Sequence, residues 1–489
     1  MIVDTLDAAG GTIREITATE LTQAQEGKVV HNGALVSQSS ATYTENNTYD
    51  TTLVNSVTVN VGRVSNEKTV KFIDYDGTEI ASYTPIEFAA LSALPANPTH
   101  TGLTSQGWNW TLADAKSYVA DNTYLTIGQM YITSDGKTRF YITIDDIEQR
   151  TITLTITHDT DGVSIDWGDG SEVENTGSYS NYSYLHEYPN IGNYVITLTV
   201  LSGTLTLGTT STSQDNTRAK VFTRRDGTGN FLRKAEIGES VDFYGRLFEG
   251  CYSLETVTIP NYVTGIYYQT FYYCFSLKNI IIPSSVTTAS GGSYFYNCYS
   301  LQNVSIPKTA PIISGFNNCY LIDRAMFTIN GTSTSIANLT DCKSLKTAVI
   351  PEGVLTISSD AFNGCNSLKS IVLPDTLTTI SANAFDGCCE LEDITIPDSV
   401  TSIGNYAFRN CNSLKSINIP DGVTSIGNYA FAGCNSLENI VIPDSVETLG
   451  TYVFQNCHSL KSVILSSELT TINTYTFSGC RSLKSINIP

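Results

Sequence analysis

The sequence predicts a mainly β protein in which a long repeat solenoid follows several small β-rich modules. Cysteines return at an almost constant spacing through the second half of the chain, and short runs of alternating apolar and polar residues are separated by Gly, Asn and Pro. Such alternation is typical of strands that bury one face. The chain also has 28 Tyr but only 3 Met, with abundant Thr, Ile and Val. These residue types favour strands, so a helical bundle is disfavoured.

Charge and hydropathy exclude several classes of partner. The 489 residues carry 47 Asp and Glu against 27 Lys and Arg, which gives a formal net charge of −20. A nucleic acid needs a cationic face, so no nucleic-acid partner is expected. No apolar run approaches the roughly 18 residues of a membrane span, so membrane insertion is not expected. The first residues lack the cationic and apolar stretches of a secretory signal, which predicts folding in a cytoplasm and release in an assembly or by lysis.

The cysteines mark an internal repeat with the consensus Ala-Phe-x-x-Cys-x-Ser-Leu-x-x-Ile-x-Ile-Pro-x-x-Val-x-x-Ile-Gly-x-x. With Cys389 set aside, the gaps between them are 23, 24, 21 and then 23 throughout. A fixed period of this size indicates a solenoid, because one repeat cannot bury its own apolar face. The cysteines are Cys251, Cys274, Cys298, Cys319, Cys342, Cys365, Cys388, Cys389, Cys411, Cys434, Cys457 and Cys480.

Each part of the repeat predicts a local structure. The run 414–419 alternates apolar and polar residues and predicts a short strand, which Pro420 ends. Val423 and Ile426 begin a second extended segment, and Ala430 and Phe431 are expected on a turn or short helical piece that packs over the core. Stacking eleven repeats at the strand spacing gives a rod about 50 Å long.

One cysteine at the same place in every repeat predicts a ladder of small buried thiols. Disulfides or a metal site are the alternatives, but there is no Cys-x-x-Cys pair and no His pattern suited to zinc. Packing is therefore the favoured interpretation. Cys388 belongs to the ladder, and Cys389 is expected to face outward.

This repeat resembles the BspA-type leucine-rich repeats of bacterial and protist surface proteins over residues 241–489. The resemblance implies a right-handed leucine-rich-repeat solenoid, assigned here to residues 213–489, that serves adhesion and protein or glycan recognition rather than catalysis. The copies around 309–340 are degenerate, so a bend or bulge is expected there. No capping sequence follows Pro489, so the last repeat is expected to expose an apolar end unless a partner chain covers it. A homo-oligomer is one possible arrangement.

Residues 149–212 predict a β-sandwich made of short alternating strands. Trp-Gly-Asp-Gly at 167–170, followed by His-x-Tyr and a Gly-x-Tyr-x-Val-x-Leu-x-Val run, resembles the PKD-type immunoglobulin-like (Ig-like) domain. The resemblance implies a spacer. Asp169 and His186 could suggest catalysis or a metal, but a tight turn and a polar corner are favoured.

Residues 63–148 predict a small β or α+β module that weakly resembles the β-repeat modules of internalin-like surface proteins. Asp-Gly at 135–136 lies between alternating runs and predicts a β-hairpin. Short helices are expected at 85–91 and 112–118.

Residues 1–62 are polar and contain few core residues, which predicts an extended arm that orders on docking to a partner. Their Thr-, Asn- and Tyr-rich strand segments resemble those of phage tail and fibre proteins. That resemblance implies that the arm docks onto other virion proteins.

The sequence shows no constellation of catalytic groups. P-loop, zinc-protease, nucleophile-elbow and dinucleotide motifs are absent, and the five His are scattered. The carboxylates at 145–146 and at 159 and 161 could bind calcium, but the favoured interpretation is that they are ordinary surface carboxylates near turns. Trp108 and Trp110 alternate, so one should be in the core and the other more exposed, with packing favoured over sugar binding. We therefore predict no enzyme activity, no cofactor and no metal.

Tyrosines are the candidates for a recognition surface, because they combine contact area with a polar tip at low entropic cost. Covering the core is the alternative role for them. One group repeats every 23 residues and should stack into a ladder: Tyr406, Tyr429, Tyr452 and Tyr475. The other group lies in the degenerate copies: Tyr262, Tyr267, Tyr268, Tyr272, Tyr273, Tyr294, Tyr296 and Tyr299.

Together these observations predict a phage virion structural protein, a fibre or decoration of the tail or head, that binds the host cell surface through its leucine-rich repeats. Its partners would be other virion proteins and a host surface glycan or protein. The alternative is a bacterial cell-surface adhesin that binds host protein or glycan. A polysaccharide-degrading virion enzyme is a third interpretation, because the geometry of a carboxylate pair cannot be judged from sequence.

Overall fold

The computed structural model describes most of the chain from residue 68 onward. The described residues are 28–31, 34–37, 68–121, 124–158, 162–177, 179–208, 221–224, 230–290, 292–308, 310, 315–325, 334–336 and 339–487. The chain divides into two units, Met1–Val70 with Ser82–Ala93 and Lys71–Ala81 with Leu94–Pro489. Most of the predicted arm at 1–62 lies outside the described residues, and so do Asp159 and Asp161.

The first unit contains a hairpin and a short helix. Strands β1 (Lys28–His31) and β2 (Ala34–Ser37) pair antiparallel. Helix α1 (Pro85–Ala89) begins with a capping box, in which the Thr84 hydroxyl accepts from the Glu87 backbone N–H at 3.2 Å and the Glu87 carboxylate accepts from the Thr84 N–H at 2.8 Å. The helix predicted at 85–91 is confirmed.

A four-stranded sheet of order β4-β3-β6-β5 comes next along the chain. Helix α2 follows β5 and confirms the helix predicted at 112–118. Trp110 is buried and Trp108 is half-buried, as the alternation predicted. The elements are β3 (Val70–Ile73), β4 (Glu79–Tyr83), β5 (Leu103–Trp108), α2 (Leu112–Asp121) and β6 (Leu125–Thr133).

Two further sheets pack over a shared apolar core. One has the order β10-β9-β12-β7-β15-β17, and the other has the order β11-β8-β13-β16 with β14 also paired to β8. The rings of Phe140 and Phe222 meet between them at 4.6 Å. The strands are β7 (Thr138–Ile144), β8 (Thr151–His158), β9 (Val163–Asp166), β10 (Glu174–Asn175), β11 (Tyr179–Glu187), β12 (Gly192–Val200), β13 (Leu205–Leu207), β14 (Phe222–Arg224), β15 (Leu232–Glu236), β16 (Val241–Phe243) and β17 (Thr256–Thr258), with a 3-10 turn at Ile147–Gln149.

The hairpin predicted at 135–136 is wrong. A turn does form there, and Gly136 takes the left-handed φ of 72° that it requires. However, β6 and β7 enter different sheets: β7 pairs antiparallel with β12 and with β15. The longer strand β12 supplies seven partners for β7, so the chain crosses from one sheet to the other at this turn. The domain boundaries stay a prediction.

The remainder of the chain is a solenoid of parallel two- and three-residue strands. Equivalent residues of successive repeats pair, as in Ile380 with Ile403 and Ile403 with Ile426. The predicted mainly β fold with a leucine-rich-repeat solenoid is confirmed. The strands are β18 (Gly265–Tyr267), β19 (Asn279–Ile281), β20 (Thr288–Ser290), β21 (Asn303–Ser305), β22 (Arg324–Ala325), β23 (Ser335–Ile336), β24 (Thr347–Val349), β25 (Thr356–Ile357), β26 (Ser370–Val372), β27 (Thr379–Ile380), β28 (Ser402–Ile403), β29 (Ser425–Ile426), β30 (Asn439–Val441), β31 (Thr448–Leu449), β32 (Ser462–Ile464) and β33 (Ser485–Asn487).

The solenoid core is built from one Leu, two or three aliphatic residues, one Phe and one Cys per repeat. Phe408, Cys411 and Leu414 are completely buried, and they illustrate a pattern that recurs in the neighbouring repeats. Part of the predicted bend at 309–340 lies outside the described residues. Across the described ranges, no helix has the length and apolar character needed to span a bilayer.

Candidate recognition surface

Ten of the eleven ladder cysteines are buried, Cys480 is half-buried, and ladder thiols also serve as hydrogen-bond donors. The Cys411 Sγ donates to the Phe385 carbonyl at 3.3 Å, and the Cys434 Sγ donates to the Phe408 carbonyl at 3.2 Å. Burial raises the pKa of both thiols well above the usual range, so they stay protonated. Cys389, outside the ladder, is only half-buried. The packing interpretation of the ladder is confirmed.

The residue before each ladder cysteine adopts a left-handed backbone conformation. This conformation lets its N–H reach the next repeat, as when the Asn410 N–H donates to the Ala432 carbonyl at 2.8 Å. Gly, Asn and Asp tolerate positive φ best. The residues are Gly250, Tyr273, Asn297, Asn318, Asp341, Gly364, Gly387, Asn410, Gly433, Asn456 and Gly479, all with φ between 59° and 79°. Tyr273 is the exception in residue type.

The predicted tyrosine ladder is present. The ring centroids of Tyr406, Tyr429, Tyr452 and Tyr475 are 4.9, 4.6 and 4.9 Å apart, and the rings are nearly parallel. The Arg409 guanidinium lies 4.5 Å from the Tyr406 ring centroid and closes that end of the stack. Tyr475 is 57% exposed. Since the inner rings have both faces covered, the ladder offers mainly ring edges and hydroxyls to a ligand.

Three tyrosines of the second predicted group make structural contacts. Tyr294 is buried. The Tyr262 hydroxyl donates to the Gly238 carbonyl at 2.5 Å and accepts from the Val241 N–H at 3.2 Å. The Tyr268 hydroxyl accepts from Arg246, whose guanidinium also lies over its ring. A fourth, Tyr267, stacks on Tyr244 at 5.5 Å.

The structure brings the others together in one aromatic surface, which we define as Tyr252, Tyr272, Tyr273, Phe275, Tyr296, Tyr299 and Tyr320. One stack runs from Tyr252 through Phe275 and Tyr299 to Tyr320, with centroids 4.5, 4.7 and 4.9 Å apart. Tyr272 and Tyr296 form a second stack at 5.1 Å. Tyr273 connects the two stacks, because its ring lies 4.2 Å from that of Tyr272 and 5.8 Å from that of Phe275.

Three members of the aromatic surface escaped the sequence analysis: Tyr252, Phe275 and Tyr320. Each directly follows a ladder cysteine, as Tyr299 does. The signal was therefore available as one aromatic residue per repeat in four successive repeats. Lys343 has the same place in the next repeat, and its Nζ lies 4.6 Å from the Tyr320 ring centroid. The stack thus ends on a cation.

Two hydroxyls of the aromatic surface, those of Tyr272 and Tyr299, have raised pKa values. Burial raises the pKa of Tyr272 above its ordinary value, and the neighbouring Tyr273 and the charge of Glu249 add to that shift. Burial also raises the pKa of Tyr299. Glu249 is itself paired with Arg246 at 3.5 Å. The Tyr272 and Tyr299 hydroxyls can therefore donate as well as accept hydrogen bonds.

Residues 106–128 pack against the strand face of the first repeats. The Asn109 side-chain NH₂ donates to the Ile282 carbonyl at 2.9 Å, and the Trp110 indole N–H donates to the Ile306 carbonyl at 2.9 Å. In later repeats the outward-facing strand residues Val372 and Val441 are 58% and 55% exposed. Among the described residues, the hydrogen bonds between this segment and the repeats involve none of Tyr272, Tyr273 and Tyr296.

The polar pair predicted at Asp169 and His186 forms a packed corner. The His186 Nε2 lies 2.7 Å from the Asp169 carboxylate, and its ring stacks on Trp167 at 4.6 Å. Burial by itself would raise the pKa of Asp169, but hydrogen bonds from Ser171 and His186 outweigh burial and lower it. The tight turn at 167–170 packs this pair against the sheets, so Asp169 and His186 have a structural role at this corner.

The carboxylates considered for calcium do not come together. Asp146 accepts from the Glu148 N–H at 2.8 Å and begins the 3-10 turn, and Asp145 lies 3.9 Å from Arg233. Within the described ranges, no group of three or more His, Cys, Asp or Glu side chains is placed to hold a metal ion.

Comparison with known proteins gives one family. The model of the BspA type leucine rich repeat region matches in six copies over residues 232–340, 332–422 and 378–489, more than half of the chain. Among curated proteins, no significant match is found.

Solved structures of bacterial leucine-rich repeat proteins are also similar. The protein TpLRR of Treponema pallidum is 36% identical over 29% of this chain and 68% of its own, with a TM-score of 0.28. A leucine-rich repeat protein from Bacteroides ovatus is 24% identical over 60% of this chain and 86% of its own, with a TM-score of 0.40. A leucine rich cell surface protein from Faecalibacterium prausnitzii is 22% identical over 58% and 94%, with a TM-score of 0.31.

Proposed function

Since this chain belongs to the BspA-type leucine-rich repeat family, we propose that it is a recognition protein whose aromatic surface binds a cell surface. The observation that carries the proposal is the joining of two aromatic stacks by Tyr273 on four successive repeats. Aromatic side chains supply large contact areas at low entropic cost and are enriched at binding hot spots. The family model describes a repeat region and no catalytic domain, which supports binding rather than catalysis.

The tyrosine ladder is the second candidate for the recognition surface. Tyr475 leaves more than half of its side chain exposed. The inner rings of the ladder are covered on both faces. The aromatic surface joins two such stacks through Tyr273, so it offers a ligand a wider set of rings, which favours the aromatic surface.

We also propose where the protein is carried. On the resemblance of residues 1–62 to tail and fibre proteins, the carrier would be a phage virion. Residues 1–62 would dock onto other virion proteins, and the PKD-like segment 149–212 would act as a spacer. The alternative carrier is a bacterial cell surface, where related repeats would bind host protein or glycan. Mass spectrometry of particles purified from the source strain separates the two, since absence of the chain from the particles would exclude the virion.

The recognition function is tested by a triple variant, Tyr272→Ala, Tyr273→Asn and Tyr296→Ala, with circular dichroism to verify the fold. The wild-type protein should bind whole bacterial or epithelial cells, and the triple variant should lose at least tenfold in affinity. The matched control is Tyr182→Ala, which removes an exposed tyrosine of the sandwich and should bind as the wild type does. Unchanged cell binding by a folded triple variant would exclude the aromatic surface.

A further inference from the structure

Both strand rows of the solenoid begin on the two-sheet region, which we define as strands β7 to β14, residues 138–224. In the first row, β15 pairs parallel with β17 of the first repeat and antiparallel with β7. In the second row, β16 contacts β18 and pairs parallel with β13, which itself pairs antiparallel with β8. The antiparallel strands β7 and β8 therefore end the parallel array, so each row meets a paired strand on this side rather than leaving an open edge.

The apolar core continues from the two-sheet region into the repeats. The Phe222 ring centroid lies 4.6 Å from that of Phe140 in the facing sheet and 5.8 Å from that of Phe231, which directly precedes β15. All three rings are buried, and they belong to a single apolar cluster that extends through the repeats to Leu465. The two-sheet region thus covers the apolar end that the first repeat of a solenoid would otherwise expose.

Two glycines mark close backbone approaches at this junction, one in each row. Gly238 follows β15, and a Cβ added there would lie 2.1 Å from the Gly136 carbonyl oxygen in the turn before β7. Gly208 follows β13, and a Cβ added there would lie 2.7 Å from the Gly245 carbonyl oxygen beyond β16. Neither position has room for a side chain, and the φ of 97° at Gly208 also favours glycine. The junction is therefore tightly fitted in both rows.

A tyrosine of the two-sheet region also satisfies a buried carboxylate of β15. The Glu236 side chain is buried and accepts from the Tyr141 hydroxyl at 2.8 Å. It also lies 2.7 Å from the Lys234 Nζ, which is itself 5.2 Å from the Tyr141 ring centroid. The Thr143 N–H donates to the Phe231 carbonyl at 2.8 Å. Because a buried carboxylate is costly without its partners, separating β7 from β15 would be strongly unfavourable.

We propose that the two-sheet region is the N-terminal cap of the solenoid, and that it unfolds together with the first repeats. Each repeat of a solenoid is stabilised by its neighbours, so the first repeat needs a partner on its outer side. The two-sheet region supplies that partner for both strand rows and for the core. This role goes beyond that of a spacer in the proposed function, and it holds for any ligand or carrier. Since the aromatic surface begins at Tyr252 in the first repeat, the cap also supports that surface.

Hydrogen–deuterium exchange of the full chain, read by mass spectrometry, tests the cap. Ile165 is completely buried in β9, which pairs with β10 and β12 inside the two-sheet region. Ile165→Ala should speed amide exchange at least about tenfold in residues 232–282 as well as around itself, because the cap and the first repeats open as one unit. If this variant does not fold, Ile165→Val provides the same comparison with a smaller loss.

The matched control is Ile426→Ala, the same truncation of a buried residue in β29 of a distant repeat. Repeats depend mainly on their nearest neighbours, so exchange should rise around Ile426 and stay at the wild-type rate in the two-sheet region. Faster exchange confined to the two-sheet region in Ile165→Ala would show a separate spacer and overturn the proposal. An equal rise in the two-sheet region for both variants would also overturn it, since the coupling would then not belong to the cap.

A second variant tests the junction itself. Gly238→Ala forces a side chain against the Gly136 carbonyl, so exchange should become at least about tenfold faster on both sides, in residues 138–144 and 232–243. Gly192→Ala is the control, since a Cβ there meets its nearest neighbour at 3.5 Å, and its exchange should match that of the wild type. Wild-type exchange rates in Gly238→Ala would show that the cap and the repeats are not fitted together, which contradicts the proposal.

Discussion

At the scale of single residues, a requirement of the backbone sets much of the repeat sequence. The residue before each ladder cysteine has a left-handed backbone conformation. In ten of the eleven repeats this residue is Gly, Asn or Asp. The cysteine itself fills the core and donates to the carbonyl one repeat back. Periodicity alone predicted the thiol ladder. It did not predict the left-handed positions, because Gly, Asn and Asp are also common in turns that need no positive φ.

The cysteine ladder yields a prediction at this scale. Cys411→Ala should lower the free energy of unfolding by about 1–2 kcal/mol, since it removes the thiol donor to the Phe385 carbonyl and leaves a small cavity. Cys389→Ala is the matched control, because this half-buried cysteine lies outside the ladder, and its effect should stay within about 0.5 kcal/mol. Urea unfolding of both variants provides the measurement. Equal effects at the two positions would contradict the role of the buried donor.

At the scale of secondary-structure elements, local signals were predictable and strand partners were not. The local signals at 85–91 and 112–118 gave helices that the structure contains. The alternation at 414–419 predicted a strand, but the structure has only an isolated bridge there, between Thr395 and Asn418. The hairpin at 135–136 failed for a different reason. Alternation identifies β6 and β7 as strands, but their partners depend on residues far along the chain, such as β12 and β15.

Gly128 marks one close approach between residues 106–128 and the strand face of the repeats. A Cβ added at Gly128 would lie 2.5 Å from the Ile281 side chain, so Gly128→Ala should lower the free energy of unfolding by about 1–3 kcal/mol through overpacking. Gly192→Ala is the control, because a Cβ there meets its nearest neighbour at 3.5 Å. Chemical denaturation should show a clear loss for the first variant and a loss within about 0.5 kcal/mol for the second. A tolerated Gly128→Ala would show that the contact is looser than described.

At the scale of the whole molecule, the repeat was visible in the sequence, but the aromatic surface was visible only in part. Tyr272, Tyr273, Tyr296 and Tyr299 belong to it, whereas Tyr262 and Tyr294 are used structurally. Composition marks all of these as tyrosines and cannot tell a hydroxyl bonded to a core carbonyl from one on a surface. The contact of Asn109 and Trp110 with the strand face of the repeats could not be predicted from the sequence either, because their hydrogen-bond partners are 173 and 196 positions away.

The central claim is that the aromatic surface is the part of this molecule that meets a cell surface. Hydroxyl-radical footprinting of the protein bound to cells tests it most directly, because it reports the loss of solvent access for each side chain. The account predicts severalfold protection of Tyr272, Tyr273 and Tyr296, with Tyr182 and Tyr475 as reactive in the bound as in the free protein. Protection confined to the tyrosine ladder, or to Val372 and Val441 on the strand face, would contradict it.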